Sequence, residues 1–116
     1  MNLNTLNTGS LLEVTLEGDA KLAQGNTEGY YTLNSTLVNG KQNWIKVQGS
    51  GAIWYNETND DWMIGDKENL GSSTCCYLHS WANNAKSPEE ATSWIYVNDD
   101  GEWLPTYNIF GSLGLY

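Results

Sequence analysis

Apolar and polar residues alternate along most of this chain with the period of a strand. Leu12, Val14 and Leu16 alternate with Glu13, Thr15 and Glu17, which predicts a first half-buried strand. A second is expected from Glu28 to Leu33, a third at Trp44-Ile45-Lys46-Val47, a fourth from Ala52 to Asn56 and a fifth at Trp62-Met63-Ile64-Gly65. Cys75 to Trp81, Trp94 to Val97, Glu102 to Pro105 and Tyr107 to Leu113 complete the series. Between the second and third strands stands Asn39-Gly40, a pair that accepts positive φ at both positions and so predicts a two-residue hairpin turn. Ser87-Pro88-Glu89-Glu90 predicts one helical turn, with Ser at the N-cap and Pro at the first helical position. No amphipathic pattern long enough for a substantial helix is present. The fold class expected is all-β, a single domain built as an antiparallel sandwich or barrel of meander hairpins.

Two hairpins look alike. Trp54-Tyr55-Asn56-Glu57-Thr58-Asn59-Asp60-Asp61-Trp62 and Trp94-Ile95-Tyr96-Val97-Asn98-Asp99-Asp100-Gly101-Glu102-Trp103 each place a Tyr and a Trp seven residues apart around a run of turn residues. With one Phe against six Trp and seven Tyr, the core has to be built largely from Trp and Tyr, and at least half of the Trp residues are expected inside.

A length of 116 residues fits one domain. Met1 to Ser10 has no clear period and is expected to form an N-terminal arm, residues 1–10, ahead of a Trp-rich β-domain, residues 11–116. The N-terminus lacks the basic start and apolar run of a signal peptide, and no segment is long and apolar enough for a membrane span. Charge is lopsided: fourteen Asp and Glu stand against five Lys, with no Arg, for a net charge of −9. The negative field and the lack of guanidinium forks argue against nucleic acid and acidic membranes as partners.

At Gly29-Tyr30-Tyr31, Val38-Asn39-Gly40-Lys41, Trp44, Ala52-Ile53-Trp54-Tyr55, Trp62-Met63-Ile64-Gly65, Leu70-Gly71-Ser72-Ser73, Ser87-Pro88 and Trp94-Ile95-Tyr96 the chain resembles a small Trp-rich module. Modules similar to it recur, singly or in arrays, in large multidomain proteins of marine invertebrates and algae. The resemblance runs from about Leu16 to Ile109 and implies a non-enzymatic β-module that is extracellular or at the cell surface. It brings no catalytic or ligand residues with it.

The residues themselves offer little for catalysis. His79 is the only histidine, and Cys75 would share its face if a strand began at the cysteines, but no third group orients the pair. Cys75 and Cys76 are adjacent and are expected as free thiols, one buried and one outward. Those two with His79 are too few ligands for structural zinc, and the Asp-rich turns Asn59-Asp60-Asp61 and Asn98-Asp99-Asp100 lack the alternation of a calcium loop. No enzyme activity, metal or cofactor is expected.

A binding role rests on the hairpin aromatics. Trp62 and Trp103 follow acidic turn residues and are the expected platforms for the apolar face of a sugar ring, flanked by Tyr55 and Tyr96. The partner expected is a glycan or glycoprotein. The sequons Asn34-Ser35-Thr36 and Asn56-Glu57-Thr58 offer Asn34 and Asn56 as glycosylation sites. The alternative is a structural subunit that binds copies of itself and builds a filament, through the arm with Leu3 and Leu6 as buried anchors or through exchange of an edge strand.

Overall fold

The computed structural model describes residues 10–81 and 85–111. Eight strands form one antiparallel sheet whose spatial order is the order of the sequence. They are β1 (Leu11–Val14), β2 (Gly29–Leu33), β3 (Trp44–Lys46), β4 (Gly51–Asn56), β5 (Asp61–Asp66), β6 (Leu78–Ser80), β7 (Ser93–Val97) and β8 (Trp103–Tyr107). The sheet curls into a half-barrel. Beyond β8, Asn108 takes a left-handed φ of 54° and redirects the chain, so that Phe110 forms an isolated bridge with Val14. Thr15 N donates to Ile109 O at 2.6 Å and Gly111 N to Glu13 O at 2.9 Å, so the segment after β8 meets β1.

Alternation places one side chain of each pair inside the curl. The inner face carries Leu12, Val14, Tyr31, Trp44, Ile53, Trp62, Ile64, Leu78, Trp94 and Tyr96, all buried, with Leu16 and Ile109 beside them. Trp62 sits at the centre of an aromatic group, edge-on to Trp44 with centroids 6.1 Å apart and to Tyr55 at 5.5 Å. Interior indoles find loop carbonyls: Trp62 Nε1 donates to Ala85 O (3.0 Å), Trp94 Nε1 to Ala91 O (2.7 Å) and Trp54 Nε1 to Ser72 O (2.9 Å). Each ring therefore buries its apolar area without an unpaired N–H.

The centre of the sheet is buried on both faces. On the outer face of β4 and β5, Ala52, Trp54 and Met63 form a second, smaller core beneath Val38, Leu70 and Cys76. The Asn39-Gly40 turn forms as expected, with φ of 53° and 79°, between Val38 and Lys41, which exchange both backbone hydrogen bonds. It does not extend β2 and β3, however. It folds over the sheet, where Asn39 Nδ2 donates to Tyr55 O (2.8 Å) and Gly71 O (3.3 Å).

Three expectations are corrected. A seven-residue helix, α1 (Gly18–Gln24), follows β1 and buries Ala20 and Gln24, with Gln24 Nε2 donating to Val97 O at 2.8 Å. The strand expected over Cys75 to Trp81 contracts to β6, because Ser72 Oγ takes the backbone N–H of Thr74 and of Cys75 into a local turn. The strand expected over Tyr107 to Leu113 is interrupted at Asn108, and Leu113 lies outside the described residues. Pro88–Glu90 forms a single 3-10 turn after Ser87. Leu3 and Leu6, with the rest of residues 1–9, lie outside the described residues.

Candidate functional site

The turns of the two similar hairpins differ in length by one residue, and that parity decides where their rings point. In the first, Asn56 pairs with Asp61 across a four-residue turn, so Tyr55 and Trp62 are direct partners on one face. In the second, Asn98 N donates to Glu102 O across Asp99-Asp100-Gly101, Gly101 taking φ of 81°. The pairs are then Tyr96 with Leu104 and Val97 with Trp103, so Tyr96 and Trp103 lie on opposite faces. A shift of one residue in turn length moves every following side chain to the other side.

The expected platform of Trp62 with Tyr55 and Tyr96 does not form. Trp62 is 1% exposed, held in the core by its two ring contacts and its indole bond. Tyr96 is buried, and its hydroxyl donates to Asp19 Oδ2 at 2.5 Å, which with burial raises its pKa to about 12. Tyr55 is half-buried, its hydroxyl donating to Asp60 Oδ1 at 2.6 Å while Lys41 Nζ stands 4.8 Å above its ring. Asn56 is also interior. Its Nδ2 donates to Asp61 Oδ1 (3.0 Å) and its Oδ1 accepts from Thr58 N (3.2 Å), so the amide that a glycan would occupy is enclosed. Asn34 is half-buried, with Nδ2 donating to Asn43 Oδ1 at 2.7 Å.

Trp103 is different. It stands 43% exposed on the outer face of β8, and alternation places Pro105 and Tyr107 on the same face. Across the sheet the same face carries Ser93, Ile95 and Val97 of β7, then His79 of β6 and Trp81, whose N–H continues the ladder by donating to Ser93 O. Trp81 and Tyr107 are 55% and 62% exposed. Whereas the outer face of β4 and β5 is covered by the hairpin and the Leu70 loop, Trp81, Trp103, Pro105 and Tyr107 on the outer face of β6 to β8 are exposed and Ser93, Ile95 and Val97 are half-buried. Trp81 and Tyr107 escaped the hairpin reading, although their signal was present: His79-x-Trp81 and Trp103-x-Pro105-x-Tyr107 have the period of one strand face.

His79 joins this face to the interior. Its ring lies 5.1 Å from that of Trp103, tilted by 52°. Its Nδ1 is 3.1 Å from Ser80 O and 3.5 Å from Oδ2 of Asp61, a residue 4% exposed. The Asp61 carboxylate raises the imidazole pKa above its ordinary value, against the opposing effect of burial. Cys75 is exposed and lies before β6, so it is not brought onto the His79 face by strand alternation. The Cys76 thiol is pushed up to about 12, mainly by burial. Among the described residues, no three of His, Cys, Asp and Glu come together as a metal site.

Beside the aromatic face, at the seam between β8 and the segment after β1, lies an open groove of about 560 Å³ lined by Thr15, Leu16, Glu17 and Pro105 to Asn108. Hydrogen bonds of the β7–β8 ladder run through the even-numbered residues of β8, as at Asn98–Glu102 and Asn108–Thr92. The backbone groups of Trp103, Pro105 and Tyr107 therefore face the seam, where Pro105 contributes no N–H.

No family model, curated protein or solved structure matches this chain.

Proposed function

We propose that this protein is a non-catalytic binding module that contacts glycans or glycoproteins through the outer face of β6 to β8, with Trp103 as the central ring. The observation that supports this most is the exposure of Trp81, Trp103 and Tyr107 on one sheet face, in a chain that buries four other Trp residues almost completely. Exposed aromatic rings on a rigid sheet offer the flat apolar surface that the C–H face of a pyranose covers. The resemblance to Trp-rich modules of multidomain proteins agrees with such a role and with an extracellular or cell-surface location. The net charge of −9 makes nucleic acid and acidic membranes poor partners. The test is a glycan array probed with the parent and with Trp103→Ala. Loss of signal in a variant that keeps its far-UV spectrum supports the reading, and an unchanged profile, or no glycan bound by either protein, refutes it.

A second reading, self-assembly into a filament, is favoured by the seam. Among the described residues β8 has no strand partner on its outer edge, and the reading takes residues 1–10 as the donor segment for such an edge. In this reading closing the half-barrel into a complete barrel is the task of a strand supplied by a neighbour. Sizing and negative-stain microscopy of the parent and of a variant lacking Met1 to Ser10 distinguish the two: a chain that stays monomeric at high concentration removes the filament.

A further inference from the structure

The outer face of β6 to β8 carries no Asp, Glu, Lys or Arg. Its members are His79, Trp81, Ser93, Ile95, Val97, Trp103, Pro105 and Tyr107, and only His79 titrates near neutrality. The turn at the Trp103 end nevertheless bears Asp99, Asp100 and Glu102, all exposed, on a chain of net charge −9. An uncharged strip with an acidic rim repels uronates and sulfated sugars and leaves neutral ones as suitable occupants.

Strand geometry gives the strip its length. Trp81 and Tyr107 lie in one row, two strand spacings or ~10 Å apart, and Tyr107 and Trp103 are four residues or ~13 Å apart along β8. A single pyranose covers only one of these rings. The diagonal from Trp81 to Trp103 is then ~16 Å, with Tyr107 to one side of it, and several units of an extended, nearly flat chain span it, which is the shape of β-linked hexopyranoses with equatorial substituents. Chains with α-links coil and leave the plane after one or two units.

His79 lies between the Trp rings and supplies the polar contact such a strip needs. Its Nδ1 is held at 3.1 Å from Ser80 O with Asp61 behind it, which fixes the proton on Nδ1 in the neutral ring. That leaves Nε2 as the other polar atom of a ring stacked beside Trp103, an acceptor in the neutral imidazole and a donor in the imidazolium, with no partner among the described residues. A sugar hydroxyl, which can donate or accept, pairs with such a nitrogen while the C–H face of its ring covers the indole. Resting on the glycan reading above, we infer that this face takes an extended run of neutral β-linked hexopyranose units, with Trp81 and Trp103 as ring platforms, Tyr107 flanking them and His79 Nε2 as a hydroxyl partner.

Isothermal titration of the whole chain with cellohexaose, chitohexaose, maltohexaose and polygalacturonate tests it. At least one of the two β-linked neutral hexasaccharides is expected to bind, with maltohexaose and polygalacturonate about tenfold weaker or more and the corresponding disaccharide weaker still. Trp81→Ala and Trp103→Ala each weaken binding about tenfold. His79→Leu weakens it by about three- to tenfold, while His79→Gln, which keeps an acceptor, restores most of the affinity. Melting curves confirm that the variants are folded. Preference for maltohexaose or polygalacturonate, or equal binding by the Leu and Gln variants, overturns this inference while leaving glycan binding in place. No binding of any of the four sugars, with no glycan retained on the array, overturns both.

Discussion

Replacing Trp62 and Trp103 in turn separates a core ring from a surface ring that the sequence makes look equivalent. Trp62→Ala removes a side chain 1% exposed, with two edge-on aromatic contacts at 6.1 and 5.5 Å and an indole hydrogen bond of 3.0 Å. Large-to-small replacement of a buried Trp costs ~3–5 kcal/mol, and the ring contacts and hydrogen bond place this site in the upper half of that range, ~4 kcal/mol or more. A domain of 116 residues has a total stability of roughly 6–17 kcal/mol, so the variant loses about a quarter to two thirds of it. With an unfolding entropy of ~2.1 cal/mol/K per residue, or ~0.24 kcal/mol/K for the chain, the melting point falls by about 16 °C. Trp103→Ala removes a ring 43% exposed whose recorded ring contact is His79, a loss of ~0.5–1 kcal/mol and about 2–4 °C. Thermal melts followed by circular dichroism, repeated as urea titrations, measure both. Equal losses in the two variants, or a Trp62→Ala protein melting within about 4 °C of the parent, would refute the assignment of faces.

Gly40 takes φ of 79° with open space where a Cβ would stand, so Gly40→Val costs backbone strain without a clash, ~1–2 kcal/mol in a urea titration, and a change below ~0.5 kcal/mol would remove the turn assignment. Gly65→Ala is expected to be worse, because the added carbon would stand 2.9 Å from the Trp54 ring, 3.1 Å from Cys76 Cα and 3.3 Å from Cys75 O; a melting point equal to the parent's would contradict this packing. A thiol reagent at about pH 8 should titrate one cysteine, Cys75, in the native protein and two after denaturation, since burial holds Cys76 protonated. The folded pKa of His79 is raised above its ordinary 6.5, so its pairing with Asp61 stabilises the fold below that value and the benefit fades as pH rises through the folded pKa. His79→Gln should therefore lower the melting point more at about pH 5.5 than at about pH 8.5, and the reverse order would contradict the pairing.

Much of the strand layout was legible because alternation and turn chemistry are local. Leu12 and Val14 point inward as their spacing requires, and Asn39-Gly40 adopts its positive φ values. The helix was not legible, since its inward stripe of Ala20, Ala23 and Gln24 includes a polar residue while its one large apolar residue, Leu22, is 85% exposed. Assigning faces failed for a related reason. Along Asp61-Trp62-Met63-Ile64-Gly65 every residue is buried, one set in the main core and the other beneath the Asn39 hairpin, so alternation has no polar side to reveal it. Only the ladder register, set by one extra residue in one turn, tells Trp62 from Trp103. Trp81 and Tyr107 lie outside the repeated hairpins, and the face they share is assembled only by the pairing of three strands.

The pairing of Glu13 with Gly111 beside the Val14–Phe110 bridge has a mechanical consequence. The two segments run antiparallel, so Ser10 and Gly111 lie on the same side of the fold. Tension applied through those two points peels the seam open one hydrogen bond after another, rather than loading its bonds together in shear. The seam yields first and the seven internal ladders are loaded afterwards. In a string of such units each would act as an extensible link with a soft first opening, and those two points, lying side by side, would let it be inserted into a loop of another domain with little separation of the loop's ends.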